Sequence, residues 1–186
     1  MGAGKTVQAC AALEHMGAKS VLIVCPISVI GSWQDHIAEW TSLTSAVVGK
    51  DEIPEANVWI VNWESLKSYS RVSGYGSMKL TWEERQNKMF NLIKWDVVIA
   101  DEAHRAKNHR AKRTRALWSL DTKHRWAMTG TPIANNPGDL WSLLRWVSPA
   151  DWRSRNAFIT RYCDTSYNPF TEGWDIAGFN ELRWEE

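Results

Sequence analysis

Residues 95–108 read WDVVIADEAHRAKN, and this stretch decides the fold class. Its opening WDVVIA is a nearly continuous apolar run with β-branched residues, which is typical of a strand covered on both faces. The run ends at Asp101 and Glu102, so two carboxylates follow the buried strand directly. Because strands covered on both faces belong to parallel sheets flanked by helices, the stretch predicts an α/β fold.

Segments with helical and strand patterns alternate on both sides of this strand, with no repeat and no low-complexity linker. Such alternation predicts a largely parallel sheet flanked by helices. Beyond Pro149 the pattern weakens to one helix and a tail with no strong period. The predicted helices are 5–16, 29–40, 81–93 with a Thr81/Glu84 capping box, 111–120, one opened by Asn136-Pro137, and 151–162; the predicted strands are 20–25, 45–48, 58–62, 95–100 and 125–128.

Composition narrows the class of protein. The 186 residues are 44% hydrophobic and 23% charged, which fits one globular lobe, and a net charge of +1 means that any nucleic-acid contact must be local. No apolar run approaches the roughly 18 residues of a membrane span. Three cysteines without a CxxC pair argue against a disulfide framework or a zinc site and favour an intracellular setting. Most of the 13 tryptophans are expected to pack in the core.

A glycine-rich segment, GAGKT, precedes the first predicted helix. Glycines let backbone N–H groups close around phosphate oxygens, lysine reaches the outer phosphates, and threonine holds Mg²⁺. The segment matches only the second half of GxxxxGK[ST], and alone it fits a glycine-capped helix start equally well. N-myristoylation at Gly2 is a weaker alternative, since residues 1–6 satisfy M-G-x-x-x-[ST]. The candidate nucleotide-binding residues are Gly2, Ala3, Gly4, Lys5 and Thr6.

Two other segments follow predicted strands. A carboxylate such as Asp101 at a strand tip can hold Mg²⁺ through water, and the adjacent Glu102 can deprotonate an attacking water. Residues 129–132, TGTP, place hydroxyls where they would sense the state of a nucleotide beside those carboxylates. Taken singly, a solvated strand end and an ordinary turn explain the two segments more simply.

Phosphate contacts to nucleic acid are suggested at two places. Residues 26–33, PISVIGSW, put small residues and the Ser28 hydroxyl at a helix start, where backbone N–H groups can take a phosphate. The alternative is a proline-ended strand followed by a serine-capped helix. A basic run could add phosphate contacts, but we favour a solvated helix face. Its members are Arg105, Lys107, Arg110, Lys112, Arg113 and Arg115.

Together these segments resemble the N-terminal lobe of the Swi/Snf-type superfamily-two helicase-like ATPases. The resemblance runs from Met1 to about Tyr162, and it is most specific where DEAHRAKN is followed by TGTPIANNPGDLWSLL. RNA helicases with a DEAH box usually carry a different motif in place of TGTP. The supporting motifs are GAGKTVQ, LIVCPISVIGSW, VNWESL, WDVVIADEAHRAKN and MTGTPIANNPGDLWSLL.

The resemblance implies a RecA-like P-loop lobe over residues 1–162 that lacks its first strand, followed by a linker over residues 163–186 toward a second RecA-like lobe. By the same resemblance, ATP and Mg²⁺ would be the cofactors and duplex DNA, more than single strands, the partner. The protein would hydrolyse ATP, translocate on duplex DNA and remodel protein–DNA complexes or DNA structures. It would act in the cytoplasm or nucleoid of a prokaryote or phage-infected cell, or in a eukaryotic nucleus. No membrane partner is expected.

Each candidate residue takes a role from the resemblance. Lys5, Asp101 and Glu102 would be catalytic, with Glu102 as general base and Thr6 and Asp101 at Mg²⁺. Nucleotide state would be coupled to DNA through His104, Thr129, Gly130 and Thr131, and the DNA strand would meet Ser28 and Asn62.

Other interpretations stay open at this point. They are an RNA-directed helicase of the DEAH type, the motor subunit of a restriction system, and a nucleotide- and DNA-binding remnant without catalysis. The resemblance places the strand that feeds the phosphate loop before Met1, in the middle of the sheet, and an arginine finger in the second lobe. We therefore expect the 186-residue chain alone to hydrolyse ATP negligibly and to be marginally stable.

Overall fold

A computed structural model describes residues 4–49, 55–74, 80–133, 136–170 and 172–180. The helices are α1 (Lys5–Met16), α2 (Ile30–Trp40), α3 (Leu66–Tyr69), α4 (Trp82–Arg85), α5 (Lys112–Trp118), α6 (Gly138–Val147) and α7 (Arg155–Tyr162). The strands are β1 (Val21–Cys25), β2 (Ser45–Val47), β3 (Val58–Asn62), β4 (Trp95–Asp101), β5 (Thr122–Met128), β6 (Cys163–Asn168) and β7 (Gly173–Phe179). Short 3₁₀ turns cover Ile27–Val29, Met89–Asn91 and Ala103–Ala106.

The main sheet has five strands in the order β2-β3-β1-β4-β5, and every pairing between neighbours is parallel. The central β1 is buried along its whole length, as expected for a strand with helices on both faces. β5 lies at one edge, and the described residues contain no strand before α1. The predicted α/β class with a largely parallel sheet is confirmed.

Side chains that alternate along β1 and β4 build two cores, one on each face of the sheet. Leu22, Val24, Val98 and Ala100 enter the core that also holds α5 and α6 residues. Val21, Ile23, Val97 and Ile99 enter the core shared with α1 and α2. Helices packed on both faces hold the strands in place, and with them the strand ends at the carboxyl edge of the sheet.

An aromatic group fills the first core near the start of β4. Trp95 is 1% exposed, and its ring meets Phe90 edge-on at 5.6 Å and Trp59 edge-on at 5.3 Å. The indole Nε1–H of Trp95 donates to the carbonyl oxygen of Phe90 at 3.0 Å. The expectation that tryptophans pack in the core holds at Trp33, Trp63, Trp95, Trp141 and Trp146, all nearly inaccessible to solvent, whereas Trp40, Trp82 and Trp174 are exposed.

Several parts of the predicted pattern differ from the structure. The capping box of Thr81 and Glu84 forms, but its helix ends at Arg85 rather than Ile93. β5 begins at Thr122, before the predicted start, because its first half pairs with β4 from Trp95 onward. The tail without a strong period forms an antiparallel hairpin of β6 and β7, which the sequence analysis did not predict.

All three cysteines are buried and free. None of the helices in the part of the chain that the structure describes is long and apolar enough to cross a membrane.

His109 makes stability depend on pH. Its ring meets Trp141 edge-on at 5.7 Å, and burial, then Arg155 and Arg110, lowers its pKa from 6.5 to about 4. Between these values the unfolded chain binds the proton and the folded chain does not, so stability falls as the pH drops from 6.5 toward 4. The slope from this residue is at most about 1.4 kcal/mol per pH unit, reduced by partial solvation of the ring.

We expect urea midpoints to fall less between about pH 7 and about pH 5 in His109→Gln than in the unmodified chain. Parallel pH dependence in the two proteins would contradict the prediction.

Candidate active site

Because the main strands are parallel, their carboxyl ends meet at one edge of the sheet. Asp101 ends β4 there and pairs in register with Met128, the residue before Thr129. On the other side, Cys25 at the end of β1 pairs with Asn62 at the end of β3. Loops that follow β1, β3, β4 and β5 therefore share one surface, and they contain most of the candidate residues.

Asp101 is held by three hydrogen bonds. Its Oδ1 accepts from the backbone N–H of Glu102 at 2.9 Å, and its Oδ2 accepts from the indole Nε1–H of Trp33 at 3.0 Å. Its backbone carbonyl accepts from the indole Nε1–H of Trp63 at 2.9 Å. The residue is only 8% exposed, and no basic side chain among the described residues forms an ion pair with it. A buried carboxylate without a cationic partner is costly, so this geometry suits a bound cation.

Cys25 lies close enough to Asp101 for the carboxylate charge to act on its thiol. Burial, and then the Asp101 carboxylate, raises the pKa of the Cys25 thiol to about 12. The thiol therefore stays neutral at physiological pH and adds no second negative charge beside Asp101.

Glu102 has a left-handed backbone, with φ 48° and ψ 51°. A residue with a Cβ pays for this conformation, and such strain concentrates at functional sites. The turn carries the Glu102 side chain toward His104, whose Nδ1 lies 3.2 Å from Oε2 of Glu102. Glu102 remains partly accessible, as a group that meets a water molecule must be.

His104 connects this carboxylate to the turn after β5. Its Nδ1 lies 3.2 Å from Oγ1 of Thr129 and 3.5 Å from Oγ1 of Thr131. The Thr129 hydroxyl also accepts from the backbone N–H of Thr131 at 3.1 Å. The structure thus brings together the predicted coupling residues His104, Thr129 and Thr131, and it leaves Gly130 exposed between the two threonines.

The phosphate-loop candidates lie at the start of α1. Gly4 has φ 64°, a conformation that glycine adopts without strain, and no side chain caps the first N–H groups of α1. Lys5 and Thr129 line the same open cavity of about 350 Å³, so the loop lysine and the turn after β5 share one space. Thr6 follows Lys5 in the first turn of α1. Gly2 and Ala3 lie outside the described residues.

The proposed Mg²⁺ ligands fit that ion by their chemistry. The described residues contain no cluster of three His, Cys, Asp or Glu side chains able to hold a metal. Mg²⁺ usually takes one or two carboxylates together with phosphate oxygens and waters, so it does not need such a cluster. A single buried carboxylate such as Asp101, with a hydroxyl such as Thr6, matches that preference.

The two predicted DNA-contact residues lie at the same edge of the sheet. Ser28 is exposed in the turn between β1 and α2. One polar atom of the Asn62 side chain already has a hydrogen-bond partner, because its Oδ1 accepts from the backbone N–H of Ser65 at 2.8 Å. Both residues thus lie at the sheet edge that also carries Asp101.

The basic run is not a uniform solvated face, so that interpretation is wrong in part. Arg115 is fully buried, and its Nε–H donates to the carbonyl of Ser73 at 2.7 Å. Three other members form ion pairs with acidic side chains and carry less free charge than the sequence suggests. The pairs are Arg105 with Glu64, Lys107 with Asp139 and Lys112 with Glu84.

Sequence reasoning missed the roles of two tryptophans. It assigned Trp33 to core packing and gave Trp63 no role, yet both indoles hydrogen-bond to Asp101. The available signal was position, since Trp33 belongs to the PISVIGSW segment and Trp63 directly follows Asn62.

Comparison with known families decides which group of proteins this arrangement belongs to. The model of the SNF2-related domain matches residues 1–174. The chain belongs to the SNF2-related domain family. The match runs from before α1 to the first residues of β7, and so includes every candidate residue.

Individual SNF2 relatives agree with the match. The chain is 31% identical over 192 residues to the SWI/SNF chromatin-remodeling complex subunit snf22 of Schizosaccharomyces pombe, covering 97% of the chain and 11% of that protein. It is 28% identical over 173 residues to the ATP-dependent DNA helicase DDM1 of Arabidopsis thaliana, covering 85% of the chain and 21% of that protein. The chain therefore spans a small part of the length of these relatives.

A solved structure supports the fold. The SWI2/SNF2 ATPase core of Sulfolobus solfataricus in complex with double-stranded DNA superposes with a TM-score of 0.69 at 24% identity, over 87% of this chain and 33% of that one. The RecA-like character expected from the sequence is thereby confirmed.

Proposed function

We propose that this SNF2 domain binds and hydrolyses ATP and drives translocation on duplex DNA, which remodels protein–DNA complexes or DNA structures. The observation that supports it most is the pair of carboxylates at the end of β4. Asp101 is buried and forms no ion pair with a basic side chain in the part of the chain that the structure describes, and Glu102 is joined through His104 to the turn after β5. Membership in a family whose relatives are named as chromatin-remodeling subunits and DNA helicases supports the DNA-directed part.

In the proposed reaction each residue has one task. Lys5 and the N–H groups at the start of α1 would bind the phosphates, and Thr6 and Asp101 would hold Mg²⁺, which when bound would supply positive charge to offset that of the transferred phosphoryl group. Glu102 orients the attacking water and accepts its proton. His104 holds the Glu102 side chain at 3.2 Å from its Nδ1 and aligns it toward the phosphates.

Coupling to DNA is proposed to pass through the same cluster. Thr129 lines the cavity beside Lys5 and also contacts His104, so the turn after β5 touches both the phosphate side and the carboxylate side. A change at the outer phosphate can therefore reach His104 through one hydroxyl. Ser28 and Asn62, at the same sheet edge, would meet the phosphates of one DNA strand.

The division of the chain is also a proposal. Residues 1–162 would form the ATP-binding lobe, and residues 163–186 would lead toward a second RecA-like lobe. The hairpin of β6 and β7 stays attached to the first lobe, because the N–H of Asn180 donates to the carbonyl of Tyr162 at 3.0 Å. The second lobe would close over Lys5 and Glu102 and supply an arginine to the transferred phosphoryl group. The protein would act inside the cell, where its DNA is.

The test measures ATP turnover by the full-length protein alone, with duplex DNA and with RNA. We expect stimulation by duplex DNA, and loss of that stimulated rate in Lys5→Ala. Lys19→Ala is the matched control, because Lys19 is exposed and precedes β1 at the opposite edge of the sheet. Preference for RNA would assign the protein to another helicase class, and DNA binding without any turnover would mean a non-catalytic module.

A further inference from the structure

Trp33 connects α2 to the carboxylate of Asp101 through the interior of the lobe. The indole is 1% exposed, and its Nε1–H donates to Oδ2 of Asp101 at 3.0 Å. Trp33 lies in the first turns of α2, the helix that follows the exposed turn with Ser28. One buried hydrogen bond therefore joins the element proposed to meet DNA to the group proposed to hold Mg²⁺.

We propose that Trp33 is a positioning residue for Mg²⁺ binding, which fixes the orientation of the Asp101 carboxylate. This inference rests on the proposed function of Asp101. The N–H of Glu102 holds Oδ1 and the indole holds Oδ2, so the carboxylate has one donor on each oxygen and cannot rotate without breaking one of the two bonds. The affinity of a site for a metal depends on hydrogen bonds made to the ligating carboxylate, because they set the direction in which its remaining lone pairs point.

The Trp33 ring packs among apolar side chains of the second core, as a phenylalanine ring would. Only the indole N–H distinguishes tryptophan from phenylalanine in its ability to donate to Asp101. Oδ2 has no other donor among the described residues. The hydrogen bond, rather than the packing, is therefore the feature that makes Trp33 specific to the site.

The rigid α2 gives this contact a second consequence. Ile37, one helical turn further along the same face, is fully buried and anchors α2 in the second core. A displacement of the Ser28 end on DNA binding would thus tilt α2 about Ile37 and shift the indole relative to Asp101. By the same contact, Mg²⁺ binding at Asp101 would bias the position of Ser28.

The test compares Trp33→Phe with Trp95→Phe in the full-length protein. Trp95 is the matched control, because it is equally buried and its indole N–H also donates a hydrogen bond. Its acceptor is the main-chain carbonyl oxygen of Phe90, away from the site. We expect the Mg²⁺ concentration for half-maximal ATP turnover to rise about 10-fold or more in Trp33→Phe and to stay unchanged in Trp95→Phe. Thermal unfolding of both variants checks that each is folded.

A spectroscopic readout separates positioning from a general loss of stability. In ¹⁵N–¹H spectra of the full-length protein labelled at its tryptophan indoles, the signal that disappears in Trp33→Phe is expected to shift in Asp101→Asn and on addition of Mg²⁺ with ADP, while the Trp95 signal stays in place. The inference would be overturned if the two phenylalanine variants needed equal Mg²⁺ concentrations, or if the Trp33 indole signal did not shift in Asp101→Asn. Either result would leave the proposed function intact. Absence of nucleotide binding and turnover in the unmodified protein would overturn the proposed function and this inference with it.

Discussion

Replacing Glu102 by glutamine is expected to lower ATP turnover by the full-length protein about 10²- to 10⁴-fold and to leave nucleotide binding in place. The amide has nearly the shape of the carboxylate and retains an oxygen that faces Nδ1 of His104, 3.2 Å away in the structure. It cannot accept a proton from water at neutral pH. The substitution therefore removes the proposed base without disturbing the residues around it.

The measurement is single-turnover hydrolysis together with nucleotide affinity. Glu64→Gln is the control, because Glu64 is an exposed carboxylate that pairs with Arg105 at 3.0 Å and takes no part in the site. Its turnover is expected to match that of the unmodified protein. Near-normal single-turnover rates in Glu102→Gln would mean that another group accepts the proton.

The second large effect concerns stability. Trp95→Ala is expected to lower the free energy of unfolding by about 3–5 kcal/mol, since a fully buried aromatic ring leaves a cavity that its neighbours fill only in part. The substitution removes both edge-on contacts of Trp95, at 5.6 Å to Phe90 and 5.3 Å to Trp59. Because domains are usually stable by about 5–15 kcal/mol, this loss is a large share of the total.

Urea denaturation followed by far-ultraviolet circular dichroism measures this change. Trp174→Ala is the matched control, because Trp174 is 71% exposed and its replacement is expected to change the unfolding free energy by less than about 0.5 kcal/mol. Trp95→Phe separates the lost ring volume from the lost hydrogen bond to the Phe90 carbonyl. Similar urea midpoints for Trp95→Ala and Trp174→Ala would show that the aromatic group adds little to stability.

The elements most visible in the sequence are those whose pattern is local. β1 and β4 are continuous apolar runs, and both form where the runs lie. The capping box at Thr81 gave the right start, but a cap says nothing about where a helix ends. Residues 89–91 instead form a 3₁₀ turn with Phe90 buried in the core, which is a tertiary contact that no local rule contains.

The hairpin at the end of the chain was missed for a related reason. Strand β6 contains Asp164, Thr165 and Ser166 in succession, so it has no alternation of apolar and polar residues. β6 is held in an extended conformation by backbone pairing with β7 and by its contacts with α7. A polar strand of this kind is recognised only when its partner is known.

The site was predictable as a set of motifs but not as a network. Parallel topology explains why segments far apart in sequence meet at one sheet edge, and the order of motifs was sufficient to expect this. The indole contacts of Trp33 and Trp63 to Asp101 join residues 68 and 38 positions apart. Burial of a tryptophan can be read from its neighbours, whereas the acceptor of its N–H depends on the packing of whole elements.

The left-handed backbone of Glu102 has a consequence for laboratory evolution. At φ 48° glycine and asparagine are less strained than glutamate, so replacing Glu102 by either is expected to cost little stability or to increase it. A library of this chain selected only for thermal tolerance would therefore accumulate substitutions at residue 102 and lose the carboxylate without any sign of damage to the fold. Selection for heat resistance and selection for activity favour different amino acids at this one position.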